Sequence, residues 1–514
     1  MNGAEAVIRS LVAGGIDTCF TNPGTSEMHL VAALDGSTEV RCVLALFEGV
    51  AIGAADGYAR MTGKPACTLL HLGPGFANGM ANLHNASRAH VPMVNLIGQH
   101  PAYHLGYDAP LTSDIEAIAR PYSAWLRTTQ EVRNAGCDTA DAIANARIPP
   151  GQIATLIIPA DVAWNQGATA PIVCAPASAG VPDVERIERA AAMLRASRRT
   201  AILIGGNALF EEGLTTAGKI ASMTGAKLFA PYPFTRLRHG AGTPVIERVA
   251  YVREQATEQF SEFPQLILVG AAAPVSYFAY QGKRSQPTQP DCEIFTLADA
   301  TEDGNAALMR LAEALGAENS SVNMAKSGRP PAPSGEISLS GLALAIAATL
   351  PEEVIVSDES MTSGKGILTA TQGCSPHDWL ACTGGSIGIA MPLAVGAATA
   401  CPDRPVLCLT ADGSGMYTLQ ALWTMAREGL HVVTVVFANR AYGVLKREYS
   451  NLKVGEAGPR AKALFNIGEP DLDWVALAHG MGVPGTRVRS LEEFSAALKK
   501  GYASAGPSLI EVPC

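Results

Sequence analysis

The amino-acid sequence predicts an α/β protein made of three consecutive doubly wound parallel sheets, and three observations lead there. The chain has 514 residues, where single domains usually hold roughly 100 to 200. Short apolar runs rich in β-branched residues alternate with helix-period segments along most of its length, the signature of βαβ units. Apolar residues make up 48% of the chain and charged residues 17%, a balance that suits buried sheets or an extensive subunit contact.

The first segment, residues 1–165, opens with a helix pattern from Ala4 to Leu11. Strands are predicted at Asp17–Phe20, Val40–Phe47, Ala66–Leu70, Met93–Ile97 and Ile153–Ile158. Between Asn165 and Asp183 the chain turns Ala/Pro-rich, the composition of a surface linker. The second segment, 183–326, repeats the alternation with strands at Ala201–Ile204, Lys227–Phe229, Gln265–Val269 and Glu293–Leu297. A low-complexity stretch, Ser327–Gly335, separates it from the third, 336–514. There a helix precedes strands at Val354–Ser357, Val406–Leu409, Val432–Phe437 and Ser508–Val512, a layout that mirrors the first segment.

Several function classes are excluded. Formal charge is −9 and no long Lys/Arg cluster occurs, which argues against a nucleic-acid partner. The 11 cysteines are singles with no C-x-x-C pair, as expected of reduced thiols in a cytoplasm. No basic-then-apolar leader is seen, and the most apolar stretch, Gly388–Cys401, carries Pro392 and Gly396 and is too short for a bilayer. A cytoplasmic protein without membrane contact is expected.

The most informative motif lies in the third segment. The strand at Leu407–Leu409 runs into Thr410-Ala411-Asp412-Gly413-Ser414 and a helix expected over Thr418–Glu428, and the next strand ends at Ala438-Asn439. Asp412 and Asn439, 27 positions apart, thus fall at the C-terminal ends of two parallel strands, where open α/β sheets bind ligands. A carboxylate and an amide oxygen held side by side suit a hard cation such as Mg²⁺, which keeps phosphate oxygens in its shell. Gly413 and Ser414 would open the following helix, whose free N–H groups hold a diphosphate. Alone, Asp-Gly-Ser is an ordinary strand-to-helix turn; the spacing to Asn439 singles it out.

This run, A-D-G-S through A-N-R-A-Y-G, resembles the cofactor motif of the thiamine-diphosphate enzymes that include acetolactate synthase and benzoylformate decarboxylase. Ala411 and Ala438 depart from the usual Gly and Asn without removing a ligand. The resemblance implies that Asp412, the Asn439 side chain and the Ala441 carbonyl hold the metal, with Gly413, Ser414, Tyr442 and Gly443 in the cofactor-binding stretch. In the first segment, Glu48 precedes Ala51-x-Gly53-Ala54-Ala55-x-Gly57-Tyr58-Ala59-Arg60. A Glu there favours the helix dipole in any protein. The resemblance makes it the acid that hydrogen-bonds the aminopyrimidine ring and switches the cofactor on.

Further stretches carry the likeness over nearly the whole chain. Asn22-Pro23-Gly24-Thr25-Ser26-Glu27 is similar to a cofactor- and substrate-facing loop, with the Thr25 hydroxyl toward substrate. His71, ahead of Gly73-Pro74-Gly75, matches an active-site proton shuttle, though a histidine ending a strand is more commonly just a core residue. Gln99 faces the cofactor cleft in acetolactate synthases, and Val444 and Leu445 fall in the pocket-facing stretch. Gly385 and Ile387, in Gly384-Gly385-Ser386-Ile387-Gly388, match the carbonyl that receives the 4′-amino group and the residue that bends the cofactor. Thr362 matches a diphosphate donor.

The member of the family is less legible. Leu237-Arg238-His239-Gly240 and Gly270-Ala271-Ala272-Ala273-Pro274 fit the FAD pattern of acetolactate synthases poorly, and Gly205-Gly206 is too weak for a nucleotide site, so no FAD is expected. A second active-site histidine, expected just after Ala273-Pro274-Val275, is missing from Ser276–Tyr280, and Glu448 stands where the benzoylformate enzyme has an aromatic. The first expectation is a 2-oxo acid decarboxylase or carboligase acting on a 2-oxo acid or aldehyde. Acetolactate synthase is the alternative, and a silent cofactor-binding partner subunit is a third. The resemblance also implies a homodimer or homotetramer, with Glu48 of one subunit facing the metal-binding segment of another.

Overall fold

The computed structural model describes residues 1–171, 175–197 and 199–514; residues 172–174 of the Ala/Pro-rich stretch, Cys174 among them, lie outside it. The first sheet holds β1 (Thr18–Asn22), β2 (Arg41–Leu44), β3 (Ala66–Leu70), β4 (Met93–Gln99), β5 (Trp125–Thr128) and β6 (Ile153–Pro159). The second holds β7 (Thr200–Ile204), β8 (Lys227–Ala230), β10 (Glu247–Arg248), β11 (Gln265–Val269) and β12 (Glu293–Ala298). Between them in sequence, β9 (Arg236–His239) leaves the second segment to join the third sheet. That sheet contains β13 (Ile355–Glu359), β14 (His377–Ala381), β15 (Val406–Ala411), β16 (Val432–Ala438), β17 (Gly485–Arg487) and β18 (Ser508–Pro513).

The three strand orders share one logic. The first sheet runs β2-β1-β3-β4-β6-β5, and the third, β9 aside, runs β14-β13-β15-β16-β18-β17, the same permutation. The second, β10-β8-β7-β11-β12, keeps its core. All pairings are parallel except the β9 edge, which runs antiparallel on β14. In each sheet the connections leave the first strand in opposite directions, so a crevice opens beyond its carboxyl end. These switch points lie between β1 and β3, β7 and β11, and β13 and β15.

Strand centres agree with the predicted runs, while ends and edges differ. β2 stops at Leu44 rather than Phe47, because Phe47 already takes the N-cap of the helix Glu48–Thr62. The helix expected from Thr418 starts at Ala421, after a separate turn at Asp412–Gly415. The edge strands β5, β9, β10 and β17 lack a strong apolar run because they are partly exposed. β14 is fully buried, and its sequence His-Asp-Trp-Leu-Ala hides that behind charges. Asp378 is satisfied there by Arg236 at 2.7 Å and Arg404 at 2.6 Å.

One seam joins the first and third sheets. The helix Glu48–Thr62 lies against Ala390–Ala400, and the small residues of the Gly53–Gly57 run make the approach possible. A Cβ on Gly57 would come 2.2 Å from the Leu393 carbonyl oxygen, and one on Gly396 1.9 Å from that of Ala54. Alanine at either position forces the backbones apart, at about 1–3 kcal/mol. Arg60 closes the seam: fully buried with Asp56 at 2.7 Å, it also donates to the Ala381 carbonyl at 2.7 Å and to the Thr383 hydroxyl at 3.0 Å. The helix Glu48–Thr62 is thereby tied at its C-terminal end to the strand that leads into the Gly384–Gly388 loop.

Candidate active site

The β1/β3 crevice gathers the first set of predicted residues. Asn22 ends β1, Pro23 and Gly24 follow, and exposed Thr25 begins a 3-10 turn, Thr25–Glu27. Glu27, completely buried, accepts the Gly24 N–H at 2.7 Å and meets His71 Nδ1 at 2.8 Å with the same oxygen. Burial pushes the Glu27 carboxyl above its usual range, and the neighbouring imidazole pulls it partway back. The pair fixes the orientation of the ring and leaves Nε2 for chemistry. Glu48, 6% exposed, receives an N–H from Asn78 at 3.0 Å. Gly75 lies between it and His71: a Cβ there would sit 3.1 Å from Glu48 Oε1 and 3.2 Å from His71 Cβ. Gln99, at the end of β4, turns its Oε1 back to the His100 N–H at 2.8 Å, so its amide oxygen is already engaged.

The β13/β15 crevice gathers the second set. Asp412 Oδ2 accepts the Arg440 N–H at 2.6 Å and Oδ1 that of Gly413 at 2.8 Å. This ties the loop after β16 to the end of β15, and burial raises the carboxyl above its usual range. Asn439 Oδ1 accepts from Ala441 N–H at 2.9 Å, and its Nδ2 lies 3.5 Å from Thr362 Oγ1. Glycine is needed twice here. A Cβ on Gly413 would come 2.7 Å from the Tyr442 ring, and one on Gly443 2.9 Å from Thr362 Oγ1. Ser414 is buried in the single helical turn Asp412–Gly415, so the free N–H groups at the end of β15 belong to one turn rather than to the start of a long helix. Val444 is half-buried and Leu445 is 47% exposed, both on the helix Gly443–Asn451.

A third element is the Gly384–Gly388 loop. The loop carrying Gly385 and Ile387 is gripped by Asn85, whose Oδ1 accepts from Gly384 N–H at 3.1 Å and Ser386 N–H at 3.2 Å, while its Nδ2 donates to the Ser386 carbonyl at 2.8 Å. From the other side Glu359 accepts the N–H of Gly388 at 2.7 Å and of Ala390 at 3.2 Å. Gly385, at φ +75°, takes the left-handed backbone that favours glycine. Where the sequence pattern led one to look for a second histidine, the nearest group is the Tyr277 ring, 3.2 Å from a Cβ built on Gly385. Glu448 accepts the Tyr280 hydroxyl at 2.7 Å. Beyond β7 and β11 a cavity of about 1030 Å³ opens, with Gly205, Gly206 and Gly270 on its wall.

Residues 1–119 match the family described as thiamine pyrophosphate enzyme, N-terminal TPP binding domain, and residues 367–512 match its C-terminal TPP binding domain. The chain is also 49% identical, over 100% of its length and 99% of the relative's, to "Putative acetolactate synthase large subunit IlvX" of Mycobacterium tuberculosis. It belongs to the thiamine pyrophosphate enzymes. Benzoylformate decarboxylase of Pseudomonas aeruginosa is 28% identical over 97% of this chain and 96% of its own. The fold matches that of the thiamine diphosphate-dependent 4-hydroxybenzoylformate decarboxylase of Rhodococcus jostii RHA1, with TM-score 0.87 and 24% identity over 100% and 99% of the two chains. This thiamine pyrophosphate enzyme is therefore one of the acetolactate synthase and benzoylformate decarboxylase group. No helix among the described residues is long and apolar enough to cross a membrane, and the ten described cysteines are unpaired.

The donors of the β13/β15 crevice fit the cofactor's charged end. Asp412 and Asn439 are tied to the same Arg440–Ala441 turn, the residues offer a carboxylate, an amide oxygen and a backbone carbonyl, all oxygen, and among the described residues no cluster of His, Cys, Asp and Glu offers a softer metal site. Sequence reasoning assigns no role to Glu27, which closes the Asn22–Glu27 run, nor to Asn78, Asn85 or Glu359. Glu27 stands three residues after Gly24, the spacing of a carboxylate that returns to its own turn; the two asparagines gave no signal, because their partners come from other elements.

Proposed function

We propose that this enzyme is a Mg²⁺-dependent 2-oxo acid decarboxylase or carboligase that works without FAD, its active site completed between two copies of the chain. The oriented Glu27–His71 pair beside Glu48 carries this reading: a carboxylate-held imidazole suits proton transfer to a small substrate. Asp412, Asn439 and the Ala441 carbonyl would hold the metal, and Thr362 and Ser414 the diphosphate. When bound, thiamine diphosphate supplies a carbon nucleophile and an electron sink next to the substrate carbonyl.

The chain's own groups do the rest. Glu48 holds a proton on the pyrimidine side of the cleft, where burial keeps water away. His71, anchored through Nδ1, carries protons at Nε2, and Thr25 offers its hydroxyl to the substrate carboxylate. Gln99, Val444 and Leu445 form the pocket wall. The exposed apolar groups around the two crevices support closure by a second copy: Tyr103 and Tyr107 near the first, Leu445, Leu452 and Leu464 near the second, each 47% exposed or more. A cytoplasmic location goes with this reading.

The name carried by the 49% identical relative favours a second reading, acetolactate synthase. Pyruvate, benzoylformate and longer 2-oxo acids, assayed with and without FAD for carbon dioxide and organic product, separate the two. The proposal expects turnover that ignores FAD, with an aldehyde or 2-hydroxyketone as product. Acetolactate formed from pyruvate only when FAD is added establishes the alternative instead.

A further inference from the structure

Two buried polar atoms without a partner, Glu27 Oε1 and Ser113 Oγ, flank the His71 turn, and a third, His100 Nε2, lies just past the end of β4 that packs on Glu27. Glu27 holds His71 directly. Ser113 reaches the turn after His71, since a Cβ on Gly73 would meet its Oγ at 1.9 Å. The end of β4 presses on Glu27, because a Cβ on Gly98 would lie 1.8 Å from its Oε1, and His100 follows two residues later. Buried polar atoms are normally paired, so unpartnered ones beside the His71 turn and at the end of β4 mark a place for a polar guest.

Converting a 2-oxo acid anion to an aldehyde and carbon dioxide takes up one proton at carbon. The neighbouring oxygen is also protonated and then deprotonated. Two carriers are therefore useful, and the middle segment provides no second histidine at Ser276–Tyr280. Resting on the function proposed above, we infer that His100 is that second carrier, exchanging a proton with the substrate-derived oxygen in the His71 crevice. The neutral ring takes the hydroxyl proton as the product carbonyl re-forms and hands it to solvent, so the ring ends as it began.

The surroundings suit a base. His104 packs edge-on at 5.3 Å between ring centroids. Burial first, then the neighbouring His104 and His71, hold His100 below the ordinary histidine pKa of 6.5, which favours the neutral ring. The other titratable groups of the neighbourhood are Glu27 beneath His71, Tyr103 and Tyr107 beside His104, and Asp161, which accepts the Ala102 N–H at 3.2 Å.

The test compares wild type, His100→Gln and His104→Gln for thiamine diphosphate binding by calorimetry and for kcat from pH 5 to 8. Expected for His100→Gln are unchanged cofactor affinity, kcat lower by about 10²-fold, the low end for a positioned proton carrier, and loss of the acid limb of the profile. His104→Gln removes one neighbouring charge and moves that limb to higher pH while keeping the plateau, a readout that survives if the first variant fails to fold. A His100→Gln enzyme with wild-type kcat and pH profile overturns the inference and leaves the proposed function standing. Wild-type protein that takes up no thiamine diphosphate overturns both.

Discussion

The first and third sheets are the same permutation of six parallel strands with different chemistry at the same address. At β1/β3 the switch point carries Glu27, Glu48 and His71, ionisable groups to which the proposed function gives the proton transfers. At β13/β15 it carries Asp412, Asn439, Thr362 and close-packed glycines, oxygen donors and small residues to which the proposed function gives a cation and its phosphates. Topology supplies the crevice and side chains decide its task, as the general behaviour of α/β sheets would have it. The second sheet makes the point by contrast: its β7/β11 crevice opens a large cavity but has neither set.

Separate tasks imply separable defects. Glu48→Gln should lower kcat by about 10³-fold, within the range of general acid–base catalysis, with cofactor affinity nearly kept, as kinetics and calorimetry together will show. Asp412→Ala should do the reverse at the other sheet, weakening Mg²⁺-dependent cofactor binding by about 10²-fold through loss of a ligand and its support. A Glu48 variant that loses binding, or an Asp412 variant that keeps it, breaks the division. A milder test stays within the first crevice: His71→Ala should cut turnover by about 10²-fold and Glu27→Gln by about 10-fold, since the latter only loosens the ring.

The smallest effect concerns the Gly384–Gly388 loop. Burial outweighs the backbone donors from Ala390, Gly388 and Ile389 and holds the Glu359 carboxyl up to about 7, from an ordinary 4.5. With a folded-state value above the unfolded one, its stabilising effect is complete below about 4.5 and fades as pH rises through about 7. Melting curves of Glu359→Gln should therefore lose part of the wild-type decline in Tm between those pH values, a difference of a few degrees.

Buried strands were readable because sheets covered on both faces need continuous apolar runs, as in β3, β15 and β16. The edge strands, and β14 with its arginine-matched Asp378, lack that signal. At the site, the Asp412–Asn439 spacing and Glu48 before its glycine run were legible, since each is set by one crossover or one helix. What joins elements stayed hidden: Asn85 on the Gly384 loop, and Glu27 on His71, depend on contacts between residues 44 to 301 positions apart.

Under the proposed function the two crevices work as one site only between subunits. Mixing inactive Glu48→Gln and Asp412→Ala proteins under conditions that exchange subunits tests it directly. A shared site predicts that activity returns toward about a quarter of wild type, because half the symmetric dimers are mixed and each has one intact site. Mixtures that exchange subunits and stay as inactive as their parents contradict it.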